Sequence, residues 1–344
     1  MLSSLIRKEI LSLEGYRPET IKANIKLDAN ECPYSPPVTL NLRSLKLNRY
    51  PDPEAKALKK CLSELWDTGP QDILQGNGSD ELIYYLISVT GGPVLYPVPT
   101  FSMYGIIGRI LGQKIIEIPL DEKFDLPVDN FINVIKKQKP GIIFLSSPNN
   151  PTGNMFSKER IIDVIKQSNC IVVVDEAYQP YARNNNGFIP YTKKYKNLLV
   201  MRTFSKIGFA GIRLGFLIGN SRILNEINKA RLPYNVNLLT QNIALEALRK
   251  RSFFENAVKK VLSEREWLTK ELKSIDQITV YPSDANFILF KVRDAGRIHK
   301  ALLKRDILIK NLSNVIPDCL RVTVGKKAEN RAFIRALKSI ISEQ

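Results

Sequence analysis

Histidine is nearly missing from this 344-residue chain, which holds only His299. A Ser-His-Asp triad, a Cys-His dyad or a multi-histidine zinc site would each have to be built on that one ring. It lies in RIHKALLKR, a helical segment with no motif beside it, and reads as a surface residue. Cysteine is scarce as well. Cys32, Cys61, Cys170 and Cys319 are irregularly spaced with no CxxC pair, which points to free thiols in a reducing compartment. No run approaches the roughly 18 apolar residues of a membrane span. Arg7, Lys8 and Glu9 interrupt the N-terminal stretch before it could serve as a signal peptide. A cytoplasmic protein without metal site or membrane partner is expected. Internal repeats and low-complexity linkers are absent too.

Acidic charge is short. The 34 acidic residues face 51 basic ones, leaving a net charge of +17. The basic residues are spread along the whole length rather than gathered into a tail or stripe. An anionic small-molecule partner or a lysine-rich background therefore fits better than nucleic acid.

What is present is an alternation. PVLYP (93–97), KIIEI (114–118), GIIFLS (141–146), CIVVVD (170–175) and NLLVMR (197–202) are apolar on both faces, as buried parallel strands are. Helix-period segments such as SKERIIDVIKQS (157–168) separate them. The expected fold is α/β: a large, doubly wound, mainly parallel-sheet domain followed by a smaller α+β domain. The amphipathic stretch 253–275 predicts a long helix. ITVYP (278–282), ANFILFKV (285–292), DILIK (306–310) and LRVTV (320–324) predict the strands of the small domain. The expected bounds are 31–240 for the large domain and 241–344 for the small one. Residues 1–30 form an N-terminal segment expected to pack on the small domain.

In open parallel sheets, ligands bind beyond the carboxyl ends of the strands. Those ends carry SPNNPTG (147–153), DEAY (175–178) and TFSK (203–206), which would bring Asn150, Asp175, Tyr178 and Lys206 to one crevice. GNGSDELI (76–83) adds two glycines before a helix start, with Ser79 or Asp80 as its cap. Such a start suits a phosphate, and Ser205 and Arg213 could add a hydroxyl and a guanidinium fork. A lysine, a buried carboxylate, a phenol and a phosphate cradle together match pyridoxal 5′-phosphate.

With these motifs in place, the chain resembles the fold-type I pyridoxal-phosphate aminotransferases, most closely their histidinol-phosphate branch. The resemblance runs nearly end to end through LDANECPY (27–34), RYPDP (49–53), GNGSDELI, PTFSMY (99–104), SPNNPTG, DEAY, TFSK and LRVTVG (320–325). It implies transfer of an amino group between L-histidinol phosphate and 2-oxoglutarate. It implies that Lys206 holds the cofactor aldehyde covalently and later acts as the base. Asp175 would pair with the ring nitrogen, and Tyr178 and Asn150 with the ring oxygen. Tyr104 would stack on the ring face. Gly78, Ser79, Asp80, Ser205 and Arg213 would line the phosphate end. Tyr50 would reach that phosphate from a second copy, making a homodimer. Arg321, Asn30, Tyr16 and Lys310 would serve the substrate.

Three departures stand out against that family. Cys32 replaces an asparagine, the Lys206–Arg213 interval is one residue shorter than in many relatives, and Lys310 stands where an arginine is common. Lysine keeps the charge but loses the fork. Threonine-phosphate decarboxylation, aromatic or broad-specificity transamination, and a non-catalytic basic binding protein remain open.

Overall fold

The computed structural model describes residues 5–11, 13, 21–183 and 187–343. Tyr16 lies outside the described residues.

Two sheets organise the chain. The first has seven strands: β2 (Ile73–Gly76), β3 (Val94–Val98), β4 (Ile115–Pro119), β5 (Ile142–Ser146), β6 (Ile171–Asp175), β7 (Leu198–Thr203) and β8 (Gly215–Gly219). Their order is β2-β8-β7-β6-β5-β3-β4. All pairings are parallel except those of β8, which runs antiparallel to both β2 and β7. The five strands expected from the sequence are all in it. The other two, β2 at the edge and β8 beside it, were not anticipated, because ILQG and GFLIG are short and bounded by glycine.

Side-chain alternation explains why the central strands are apolar throughout. Ile143, Leu145, Val172, Val174, Leu198 and Val200 enter one core, with Leu58, Phe131, Ile161 and Ala244 from the helices on that face. Phe144, Val173, Leu199 and Met201 enter the other, with Leu82, Ile83, Leu86 and Ile107. Each such buried side chain contributes about 1.5–3 kcal/mol. A strand covered on both sides has no place for polar residues except at its ends.

The second sheet has the order β1-β11-β12-β10-β9. It comprises β1 (Ile25–Leu27), β9 (Ile278–Val280), β10 (Phe287–Val292), β11 (Ile307–Asn311) and β12 (Cys319–Thr323). The N-terminal strand β1 pairs in parallel with β11. Lys8–Leu11, however, lies against the helix Met103–Ile110 of the first unit, and Arg7 donates to the Ile110 carbonyl. Contrary to expectation, the N-terminal segment therefore does not pack on the second unit alone. Helices α8 (Arg251–Lys273), α9 (Ala295–Lys304) and α10 (Lys327–Ser342) cover one face. Their Leu268, Leu302 and Phe333 pack with Ile288, Phe290, Leu320 and Val322. Period-2 alternation turns Phe287, Leu289, Arg321 and Thr323 to the opposite face, where Phe287 meets Ala177 and Tyr178 of the first unit.

Two further expectations need correcting. The bound at residue 240 falls inside α7 (Leu238–Arg249), whose Ala244 and Ala247 belong to the first core. The chain therefore leaves that core later than composition suggested. His299 is half-buried rather than exposed, and its Nε2 lies 3.0 Å from the Ile309 carbonyl oxygen. A helix lying on a sheet gives even a lone polar ring an inward side.

Candidate active site

Three neighbouring strand ends build the crevice. Cross-strand register sets Asp175, the last residue of β6, opposite Ser146 of β5 and Met201 of β7. Asp175 is 4 % exposed. Its Oδ2 accepts from Tyr104 Oη at 2.7 Å and its Oδ1 from the Ala177 N–H at 3.0 Å. Burial pushes the carboxyl up to about 6, and those two hydrogen bonds pull against the rise.

After β5 the chain turns through two asparagines of different use. Asn149 is fully buried and structural, accepting from Thr100 Oγ1 and donating to the Pro99 carbonyl. Asn150 faces the crevice, and its Oδ1 accepts from Arg321 Nη1.

After β7 the chain enters a 3-10 turn, Ser205–Ile207, that presents Lys206. Lys206 Nζ lies 3.4 Å from the Ala29 carbonyl and 5.8 Å from the centre of the Tyr178 ring. Its own carbonyl accepts from Tyr181 Oη at 2.7 Å. Ser205 is buried, its Oγ donating to Thr203 Oγ1 at 3.0 Å while the Thr203 hydroxyl donates to the Leu214 carbonyl at 3.0 Å.

The candidate phosphate end is made of backbone. Helix α2 (Ser79–Val89) is capped by Gly78 with no side-chain cap bond, so Ser79 and Asp80 sit within its first turn instead of capping it. Gly78 has φ +86°, and a Cβ there would lie 2.7 Å from Arg213 Nη2. A Cβ on Gly215 would meet the Gly78 and Ser79 backbone at 2.9 Å. Glycine is needed at both positions for this close approach. Arg213 Nη2 pairs with Asp80 Oδ2 at 2.9 Å, so the fork sits across the helix start.

The second sheet closes the crevice. Arg321, 7 % exposed, lies over the Phe287 ring at 5.1 Å and donates through Nη2 to the Asp28 carbonyl at 2.6 Å. Lys310 sits directly opposite Arg321 across β11 and β12. Asn30, 2 % exposed, donates through Nδ2 to Tyr178 Oη at 2.9 Å. It therefore stands behind Tyr178 rather than on an open wall.

Tyr104 also departs from expectation. It is fully buried and stacked on Phe144 at 4.6 Å, with its hydroxyl spent on Asp175. A sealed ring offers no face to a ligand. Of the aromatics in PTFSMY, Phe101 is the one left half-buried, its ring edge-on to Tyr104 at 5.6 Å. Tyr50 is 80 % exposed and stacks on Tyr234 at 4.4 Å and 14°, an aromatic pair presented outward. Thr323 and Asn286, both buried against Asn30, were not singled out from the sequence. For Thr323 a signal existed, since two residues from Arg321 on a strand means the same face.

Among the described residues, no group of three or more His, Cys, Asp or Glu could hold a metal, and no helix is long and apolar enough to cross a membrane.

Known proteins resemble this chain in sequence and fold. The family model for aminotransferase class I and II matches residues 20–337. A protein of Aquifex aeolicus named histidinol-phosphate aminotransferase is 41 % identical over 350 residues, covering 98 % of each chain. The crystal structure of the histidinol-phosphate aminotransferase from Clostridium acetobutylicum superposes with a TM-score of 0.85 at 26 % identity, covering 93 % of this chain and all of that one. That of the Sinorhizobium meliloti histidinol-phosphate aminotransferase, in complex with pyridoxal 5′-phosphate, gives 0.88 at 22 % identity over the whole of both. The chain belongs to the aminotransferase class I and II family.

Proposed function

We propose that this protein is a pyridoxal-phosphate-dependent transaminase that moves the amino group between L-histidinol phosphate and 2-oxoglutarate. The observation that carries the reading is the convergence of Lys206, Asp175, Tyr178 and Asn150 at adjoining strand ends beside the Gly78 cradle. The full-length relative named for that reaction supports the substrate.

The residues fit the cofactor. The Gly78–Ser79 backbone, kept free of a Cβ, with Ser205 and Arg213 suits a phosphate. Asp175, buried at the crevice floor, suits a ring nitrogen that must stay protonated, and Tyr178 with Asn150 suits a ring oxygen. The ring-face contact falls to Phe101 rather than Tyr104. When bound, pyridoxal phosphate supplies an electron sink for the charge left at the substrate's Cα.

The chain's own residues do the rest. Lys206 Nζ, held over the Tyr178 ring, takes the Cα proton and returns it on the other side of the transfer. Asp175 holds a proton at the ring nitrogen. Arg321 and Lys310 stand opposite each other across β11 and β12, two cationic side chains on neighbouring strands. They suit a substrate phosphate in one half-reaction and carboxylates in the other. The net charge of +17 draws both toward the site.

The proposal includes two copies, each lending Tyr50 to the other's phosphate end. The exposure of Leu47 (65 %), Tyr50 (80 %) and Leu232 (65 %) supports a surface covered by a second copy. It divides the chain into a cofactor unit from 31 to about 250 and a smaller unit beyond, with β1 of the N-terminal segment on the latter, and it locates the protein in the cytoplasm.

Histidinol phosphate added to the purified, cofactor-loaded protein should bleach its visible absorbance, and 2-oxoglutarate should restore it. A larger kcat/KM for threonine phosphate decarboxylation, or for an aromatic amino acid, would reassign the substrate.

A further inference from the structure

Every polar group of Asn30 is engaged. Its backbone N–H donates to Thr323 Oγ1 at 2.9 Å, and its carbonyl accepts from Asn286 Nδ2 at 3.0 Å. Its Oδ1 accepts from Thr323 Oγ1 at 3.2 Å, and its Nδ2 donates to Tyr178 Oη at 2.9 Å. The residue sits at φ +56°, so its backbone is held in the left-handed region by these partners.

A hydroxyl has one proton to give. The Asn30 N–H points at the Thr323 oxygen, so that proton goes to Asn30 Oδ1. This decides which end of the amide faces Tyr178. With the amide turned over, its NH2 would confront Thr323, and the buried hydroxyl would lose its acceptor. The bond into Tyr178 is therefore a donated one. Tyr178 Oη receives a proton from behind, and its own proton points elsewhere.

We propose that Thr323 is a positioning residue: acting through Asn30, it fixes Tyr178 as a hydrogen-bond donor into the crevice. This rests on the cofactor reading above, in which the acceptor is the cofactor's ring oxygen. The chain begins on β12, two residues from Arg321, and ends on the turn after β6. The second sheet thus sets the proton direction at a group carried by the first. A donor whose oxygen already accepts a hydrogen bond is polarised by it, which strengthens what it donates.

A donor to the ring oxygen favours that oxygen's ionised form and lowers the pH at which it titrates. The test is a pH titration of the visible absorbance of cofactor-loaded T323V, T323S, Y178F and the T323V/Y178F double variant. T323V keeps the shape of the side chain and removes the hydroxyl. Its midpoint should rise by about one pH unit, the scale of one lost hydrogen bond. T323S should return it to the parent value. The double variant should shift no further than Y178F, because both changes remove the same donation.

An unchanged midpoint in T323V, or a double-variant shift equal to the sum of the single ones, overturns the proposal. If T323V does not fold, T323A carries the same expectation. A parent protein with no visible band at all would instead overturn the cofactor reading and the proposal with it.

Discussion

Tyr104 Oη lies 2.7 Å from Asp175 Oδ2, inside a pocket where both residues are shut off from water. Burial raises the phenol well above its ordinary value, with the Asp175 charge adding to the rise, so Tyr104 is the donor at every working pH. Asp175 titrates near 6 when folded, against 3.8 as its ordinary value. The folded chain thus binds this proton more tightly than the unfolded one. Stability of the cofactor-stripped protein should fall as pH rises from about 4 to about 6, by a total of about 3 kcal/mol from this group, with the loss absent below that window. D175N should remove that part of the slope in melting curves taken across it.

Y104F keeps the ring stacked on Phe144 and removes the donor. The Asp175 carboxyl should rise further, so cofactor affinity should drop about tenfold, and more at pH 6 than at pH 8. Equilibrium titration with pyridoxal phosphate at both pH values reads this directly. Equal losses at the two would mean Tyr104 serves packing only.

At Gly78, alanine places a Cβ against the Arg213 fork at a backbone angle L side chains avoid. G78A should lower stability by about 1 kcal/mol or more. It should also weaken binding of pyridoxal phosphate more than that of pyridoxal, which lacks the phosphate. Isothermal titration with the two ligands separates a phosphate defect from general damage.

Tyr50 tests the assembly. If each copy completes the other's site, Y50A and K206A mixed through denaturation and refolding should form hybrids with one intact site. Activity of the mixture should exceed the sum of the two refolded separately. No gain would place Tyr50 outside the neighbour's site.

For Lys310, alanine should raise KM for histidinol phosphate with kcat little changed, the mark of lost ground-state binding. K310R should lower KM by restoring a fork for phosphate. The KM for 2-oxoglutarate should move less under both changes.

Much of this was legible in the sequence, and the reasons are local. Strands β3, β5, β6 and β7 announce themselves because a strand buried on both faces must be apolar throughout. Asp175 and Lys206 stand out as the polar residues that end or follow such runs. What was hidden depends on side-chain direction. Tyr104 looked like a wall of the crevice because PTFSMY does not reveal which aromatic turns inward. Asn30 looked like a substrate contact because nothing in LDANECPY shows its amide held between Thr323 and Tyr178, 293 residues away in one case. The edge strands β1 and β2, and β8 beside β2, were missed because they are three to five residues long and stabilised by their neighbours rather than by their own pattern.

The central claim is that one side-chain amine, Lys206 Nζ, binds the cofactor aldehyde covalently. Borohydride reduction of the loaded protein, followed by peptide mapping, tests it most directly. The prediction is a single pyridoxyl mark on the peptide carrying TFSK, at Lys206, and none in K206A. A mark on another lysine, or a loaded parent protein that takes no mark, would contradict it.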